Sequence, residues 1–160
     1  MSGTELEHPG EPMIQIKDID HLVLRVRELE PMIDFYCRVI GCSVEWRRPD
    51  LGLVHLRAGT TLIDLVTVDG PTGSRGGAGP GAEGHNLDHF CLRVKDFDLD
   101  AVVKHLEANA VATGKIASRY GANGRGMSIY LSDPEGNGVE LKGTDGIPDP
   151  QQQAARAGNR

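Results

Sequence analysis

The chain has 160 residues, which suits one compact domain and excludes two large ones, because domains usually contain ~100–150 residues. Its net charge of −6 argues against nucleic acid or membrane binding by bulk electrostatics and favours a small-molecule substrate. Three cysteines without a C-x-x-C pair exclude a disulfide framework and favour the cytoplasm, and no apolar run reaches the ~20 residues of a membrane helix.

Three segments lack apolar periodicity and are rich in glycine, proline, glutamine or acidic residues. Residues 1–13 and 143–160 are predicted to be flexible tails, and residues 69–86 a flexible connector. Between them lie two blocks, module one (14–68) and module two (87–142). The sequence therefore predicts a single domain over residues 14–142, built from two modules.

The two modules begin alike, with the octapeptides Ile19-Asp20-His21-Leu22-Val23-Leu24-Arg25-Val26 and Leu87-Asp88-His89-Phe90-Cys91-Leu92-Arg93-Val94. Five of the eight positions are identical, at an offset of 68 residues. A match of this kind is better explained by a duplicated unit than by coincidence. We therefore expect the modules to share one fold and to place equivalent residues in equivalent positions.

Each module continues with the same order of elements. Apolar residues at helical spacing predict helices over 30–39 and 98–107, which end near Gly41 and Asn109. Three strands are then predicted in module one (42–48, 52–58 and 61–68) and three in module two (111–118, 126–131 and 137–142). The pattern of each module is βαβββ, which predicts an α+β fold.

Alternation along the strands separates an apolar face from a face that carries polar residues. His21 and His89 lie opposite the apolar face, and Asp64 and Glu140 have the same position in the last strand of each module. If the two sheets pair, these groups converge on one divalent metal. Asp64 is either a fourth ligand or a strand-end acid. The histidines without a counterpart in the repeat are interpreted as non-ligands: His55, His85 and His105.

Five further residues are candidates for substrate binding. Arg25 and Arg93 lie four residues after the histidines, where they either hold a substrate carboxylate or phosphate or face solvent. Arg119 and Arg125 flank a glycine-rich loop that is either a mobile lid or a plain surface turn. Met127 follows this loop and could line an apolar pocket.

The motifs Ile19-Asp20-His21, Leu87-Asp88-His89 and the segment from Ser132 to Leu141 resemble those of the vicinal oxygen chelate superfamily. This superfamily includes glyoxalase I, extradiol dioxygenases and bleomycin-binding proteins. The resemblance covers residues 16–142 and implies two βαβββ modules whose curved mixed sheets form an open metal-binding cavity. It implies metal ligands at His21, His89 and Glu140. Asp64 stands where glyoxalase I has a glutamate, and its side chain is one methylene shorter.

The resemblance also implies a reaction, a cofactor and an assembly. We expect a glyoxalase-I-like lyase or isomerase that acts on a small vicinal-oxygen substrate through a metal-stabilised enediolate, with Glu140 and Asp64 as proton carriers. The metal would be zinc, nickel, cobalt, manganese or iron. The alternatives are an Fe(II) extradiol-type dioxygenase and a metal-free small-molecule binding or resistance protein. A homodimer is expected, with the modules paired either within one chain or across the dimer.

Overall fold

A computed structural model describes residues 13–143, so nearly all of the predicted tails (1–13 and 143–160) lies outside the described residues. The strands are β1 (His21–Val26), β2 (Ser43–Arg48), β3 (Leu53–Ala58), β4 (Thr61–Thr67), β5 (His89–Arg93), β6 (Ile116–Arg119), β7 (Gly126–Ser132) and β8 (Gly138–Lys142). The α-helices are α1 (Leu29–Asp34) and α2 (Leu99–Ala108). Neither helix of this part of the chain is long and apolar enough to cross a membrane.

The strands form two separate four-stranded sheets with the same topology. Sheet one has the order β1-β4-β3-β2 and sheet two the order β5-β8-β7-β6. In each sheet the first strand of the module pairs in parallel with the last, and the other neighbours are antiparallel. A parallel pair needs a long crossover connection, and the helix of each module lies within it. The predicted α+β fold with two mixed sheets is confirmed.

Both predicted helices are present, but they differ in form. Helix α1 passes into a π-helical turn (Phe35–Val39), and the chain then reverses at Gly41, whose φ of +90° favours glycine. Helix α2 begins after Asp98, whose carboxylate accepts a hydrogen bond from the backbone N–H of Ala101 at 3.0 Å. Its last residue is followed by Asn109, as predicted.

The prediction of a strand over 111–118 was wrong in its first half, because β6 begins only at Ile116. The preceding chain approaches β7 at Gly114, whose N–H donates to the carbonyl of Tyr130 at 2.7 Å. A Cβ atom at this position would lie 2.9 Å from the same carbonyl oxygen. Residues 111–115 therefore make a close irregular approach to β7 before the regular ladder starts.

One apolar core is shared by both modules. The fully buried side chains of sheet one include Leu56, Ile63 and Leu65, and those of sheet two include Ile129 and Val139. They belong to a single cluster with residues of both helices. Each sheet thus turns one face to the common core. The opposite face, called here the open face, carries His21 in sheet one and His89 in sheet two.

A buried hydrogen bond joins the modules through the core. Tyr36 is fully buried, and its hydroxyl donates to Oδ2 of Asp133 at 2.8 Å. Burial, followed by the charge of Asp133, raises the pKa of Tyr36, so the hydroxyl remains a donor. Because removal of this donor weakens the solvation of a buried carboxylate, Tyr36→Phe should lower the free energy of unfolding by about 1.5–3 kcal/mol. Denaturant unfolding measures this loss; Tyr120→Phe, at a residue 54% exposed, is the control. Equal stability of both variants would contradict the role of this bond.

Candidate functional site

Each open face carries a histidine that a neighbouring aspartate holds by Nδ1. Asp20 Oδ1 lies 2.7 Å from Nδ1 of His21, and Asp88 Oδ2 lies 2.6 Å from Nδ1 of His89. A carboxylate at Nδ1 favours the tautomer with the proton on Nδ1, so Nε2 keeps its lone pair. Metal-binding histidines commonly have this carboxylate partner. The repeated Asp-His dipeptide therefore leaves Nε2 of both imidazoles able to accept a proton or to bind a cation.

The aspartate also affects the protonation of the first histidine. The hydrogen bond that His21 donates to Asp20 makes the largest contribution to the shift in the pKa of His21; desolvation opposes it, and the net effect raises the pKa. A raised pKa means that His21 retains its second proton to a higher pH. Because a metal binds only the neutral imidazole, a cation at His21 must compete with this proton, and its binding should weaken as the pH falls.

Glu140 completes a pair of potential ligands in module two. Its Oε2 lies 3.2 Å from Nε2 of His89, so an imidazole nitrogen and a carboxylate oxygen converge on the open face. Glu140 is only 5% exposed, and its Oε1 is buried without a hydrogen-bond partner. A buried carboxylate oxygen that lacks a partner is costly, and a cation would satisfy it. The residues of module two therefore fit a divalent ion of the kind that the sequence implies.

Tyr130 lies beside this pair. It is the direct cross-strand neighbour of Glu140, and its ring meets that of His89 edge to face with centroids 5.2 Å apart. Burial raises the pKa of Tyr130; a hydrogen bond with Arg119 lowers it, and the charge of Glu140 raises it again, with a net rise. The phenol therefore stays protonated beside the carboxylate. The place of Tyr130 beside Glu140 could not be predicted from the sequence, because it depends on the register between β7 and β8.

Asp64, the acid of module one, has a different partner. It is 6% exposed, and its Oδ1 lies 2.7 Å from Nδ1 of His55, its direct cross-strand neighbour. The ring of His55 stacks on that of Trp46 with centroids 5.9 Å apart, and the guanidinium of Arg48 lies 4.7 Å from the centre of the same indole. His55, interpreted from the sequence as a non-ligand, is thus fixed on the open face of sheet one.

The four predicted ligands do not meet within one chain. Among residues 13–143, no three histidine, cysteine or acidic side chains lie close enough together to hold a metal ion. Module two brings together His89 and Glu140, whereas Asp64 is joined to His55 and no ion pair in the described chain joins it to His21. The chain therefore presents two half-sites, one on each open face.

The candidate substrate-binding residue of module one contacts the connector. Arg25 donates hydrogen bonds to the carbonyls of Gly73 at 2.7 Å, Gly77 at 2.7 Å and Ala78 at 3.2 Å. Its guanidinium thereby fastens the connector over one end of sheet one. Substrate binding by Arg25 stays a prediction, and its donors would have to be shared with the connector.

The candidates of module two have varied positions. Arg93 is exposed at the end of β5, and Arg125 is exposed in the loop before β7. Arg119 ends β6 and contacts Tyr130. Tyr130 lies opposite Glu140 on the open face, so strand alternation places Met127, three residues earlier, on the core face of sheet two. These roles also stay predictions; Arg119 contacts Tyr130, whose ring lies against that of His89.

A buried lysine holds the loop between β6 and β7. Lys142 is 3% exposed, and its ammonium group donates to the carbonyl of Arg119 and, at 3.0 Å, to that of Gly126. The two carbonyls flank the loop that the sequence predicts as a lid. Its ends are therefore fixed to β8, next to Glu140, and any opening is confined to the residues between them.

Comparisons with known proteins agree on one family. The family model described as Glyoxalase/Bleomycin resistance protein/Dioxygenase superfamily matches residues 18–141. A virulence protein of Salmonella typhimurium is 29% identical over 142 residues, which are 88% of this chain and 94% of that protein. Its crystal structure superposes with a TM-score of 0.65 at 27% identity, covering 81% of this chain and 98% of that chain.

Two further relatives differ in how much of their length is matched. A glyoxalase domain-containing protein of Mycosarcoma maydis is 30% identical over 130 residues, which are 80% of this chain and 69% of that protein. A catechol-2,3-dioxygenase of Bacillus subtilis is 29% identical over 124 residues, which are 77% of this chain but only 40% of the dioxygenase. The similarity thus extends across both modules of this chain.

Proposed function

Because the chain belongs to the glyoxalase/bleomycin resistance protein/dioxygenase superfamily, we propose that it is a metal-dependent lyase or isomerase of glyoxalase type. Its substrate would be a small molecule with oxygens on adjacent carbons. The observation that carries this proposal is the convergence of His89 Nε2 and Glu140 Oε2 at 3.2 Å, beside a buried Glu140 oxygen without a partner. His21, His89 and Glu140 would hold the cation.

We propose that a homodimer completes the site. His21 lies on the open face of sheet one and His89 on that of sheet two, and both open faces lie opposite the shared core. Pairing with a second copy would bring sheet one of each chain onto sheet two of the other. The open face of sheet one carries apolar side chains that such pairing would cover, since Val23 is 49% and Trp46 is 55% exposed. Two equivalent sites would result, each with ligands from both copies.

The residues of module two supply the proposed proton transfer. A divalent cation, when bound, supplies Lewis acidity that polarises the oxygens of the substrate. Glu140 would remove a proton from one carbon and return it to the adjacent carbon, so no net proton is consumed. The phenol of Tyr130 would donate a hydrogen bond that orients this carboxylate, and Asp88 would keep His89 in the tautomer with a free Nε2.

Hydrogen exchange with solvent tests this role of Glu140. In D2O the metal-loaded protein should exchange the reacting C–H of a hemithioacetal formed from a 2-oxoaldehyde and a thiol, as observed by proton NMR. Since the carboxylate performs the transfer, Glu140→Gln should lower the exchange rate by roughly 100- to 10,000-fold. Glu107→Gln, on the exposed surface of α2, is the matched control and should exchange like the parent. Undiminished exchange by Glu140→Gln would exclude Glu140 as the base.

One observation favours a second candidate, an Fe(II)-dependent dioxygenase. The carboxylate of Asp64 is bonded to His55, which leaves two histidines and one glutamate, the facial ligand set of many non-haem iron oxygenases. The similarity to a catechol-2,3-dioxygenase supports the same reading, although the chain spans only 40% of that protein. Oxygen consumption with a catechol by the iron-loaded protein, without hydrogen exchange on the hemithioacetal, would favour this candidate over the first.

A further inference from the structure

His55 repeats the arrangement of the two expected histidine ligands. Its Nδ1 lies 2.7 Å from a carboxylate oxygen, as at His21 and His89, but the aspartate comes from the adjacent strand. We propose that His55 binds the cation through Nε2 as the second ligand of module one, and that Asp64 orients His55 instead of binding the metal. This inference rests on the proposed metal site and revises its fourth ligand.

Asp64 and Glu140 have different partners in the two modules. In module two, the carboxylate of Glu140 reaches Nε2 of the histidine on the paired strand, at 3.2 Å. In module one, no corresponding ion pair among the described residues joins Asp64 to His21; the shorter side chain bonds to His55 instead. The carboxylate of Asp64 is thus held by its hydrogen bond with His55 on the neighbouring strand.

The side chain of His55 is held in place by its neighbours. Its Nδ1 is hydrogen-bonded to Asp64, and its ring stacks on that of Trp46. The indole in turn lies against the guanidinium of Arg48. The side chain of His55 is 20% exposed. A histidine that is oriented through Nδ1 and fixed by packing offers Nε2 as its remaining nitrogen, which is the arrangement that metal sites use. By strand alternation His55 shares the open face with His21.

The corresponding position in module two explains why the modules differ. Tyr130 lies opposite Glu140 as His55 lies opposite Asp64. A neutral phenol is a poor ligand for a divalent ion, so module two leaves its carboxylate to bind the cation. Module one has an imidazole at this position and uses its carboxylate to orient it. The completed site would then contain three imidazoles and one carboxylate, a donor set that suits zinc, cobalt or nickel.

The test counts imidazole ligands in the cobalt-loaded, full-length protein by X-ray absorption and measures cobalt affinity by competition with a chelator. We expect three imidazoles in the parent. In His55→Ala and His55→Gln we expect two, with affinity lowered more than about 100-fold, and in Asp64→Asn three, with affinity lowered about 10- to 100-fold. His85→Ala, at an exposed connector residue, is the control and should match the parent.

Two imidazoles in the parent, or unchanged affinity in both His55 variants, would overturn the inference. A larger loss in Asp64→Asn than in the His55 variants would also overturn it, because Asp64 would then be the ligand. In each case a strong loss in His89→Ala would leave the proposed metal site standing. Unchanged cobalt affinity in His89→Ala would instead refute the proposed site itself, and the His55 inference with it.

Discussion

Replacement of His89 by alanine should lower the affinity of the protein for a divalent cation by more than about 100-fold. The loss of a direct metal ligand should lower the affinity more than the loss of a residue that only orients a ligand. The substitution removes the nitrogen that lies 3.2 Å from Glu140 Oε2, and it leaves the buried carboxylate without the second donor of its module. Elemental analysis of the purified protein and a chelator titration measure the loss.

Two variants separate a lost ligand from a lost orientation. Asp88→Asn keeps the imidazole but removes the charge at its Nδ1, so we expect a smaller loss of about 10- to 100-fold. His85→Ala removes an exposed histidine of the connector and should leave metal content unchanged. Parent protein without bound metal under metal-replete expression, or His89→Ala with the occupancy of the parent, would contradict the proposed site.

Heterodimers should reveal whether each site is shared between copies. If His21 of one copy and His89 of the other serve the same site, a dimer of His21→Ala with His89→Ala retains one intact site. It should bind about one ion, against two for the parent dimer. Co-expression with two different affinity tags, followed by purification on both, isolates this heterodimer for elemental analysis.

A second heterodimer carries the same two substitutions in one chain. A dimer of the double variant His21→Ala, His89→Ala with the parent has no intact shared site, and it should bind no ion. Sites formed within single chains predict the reverse, with one ion in this second heterodimer and none in the first. Such a reversed result would exclude exchange of half-sites across the dimer.

The fold could be predicted from the sequence because its signals are local. Alternation in residues 19–26 and again in 87–94 gives the strands and their apolar faces, and the repeat fixes the order βαβββ. The start of β6 could not be predicted in the same way. Its position depends on the contact between Gly114 and the carbonyl of Tyr130, which belongs to a strand more than a dozen residues later.

The candidate site residues could be proposed from the sequence only where both modules carry an equivalent residue. His21, His89, Asp64 and Glu140 follow from alternation within single strands. The partnership of Asp64 with His55 depends on the register between β3 and β4, which alternation alone does not determine. The same holds for Tyr130 beside Glu140, since that contact depends on the register between β7 and β8.

Diffraction from a cobalt-loaded crystal, recorded at the cobalt absorption edge, tests the shared metal site most directly. We predict one anomalous peak for each chain, about 2.0–2.2 Å from Nε2 of His89 and from a carboxylate oxygen of Glu140 in one copy, and equally close to Nε2 of His21 in the other. A peak bound by residues of a single chain, or no peak at His89 and Glu140, would contradict it.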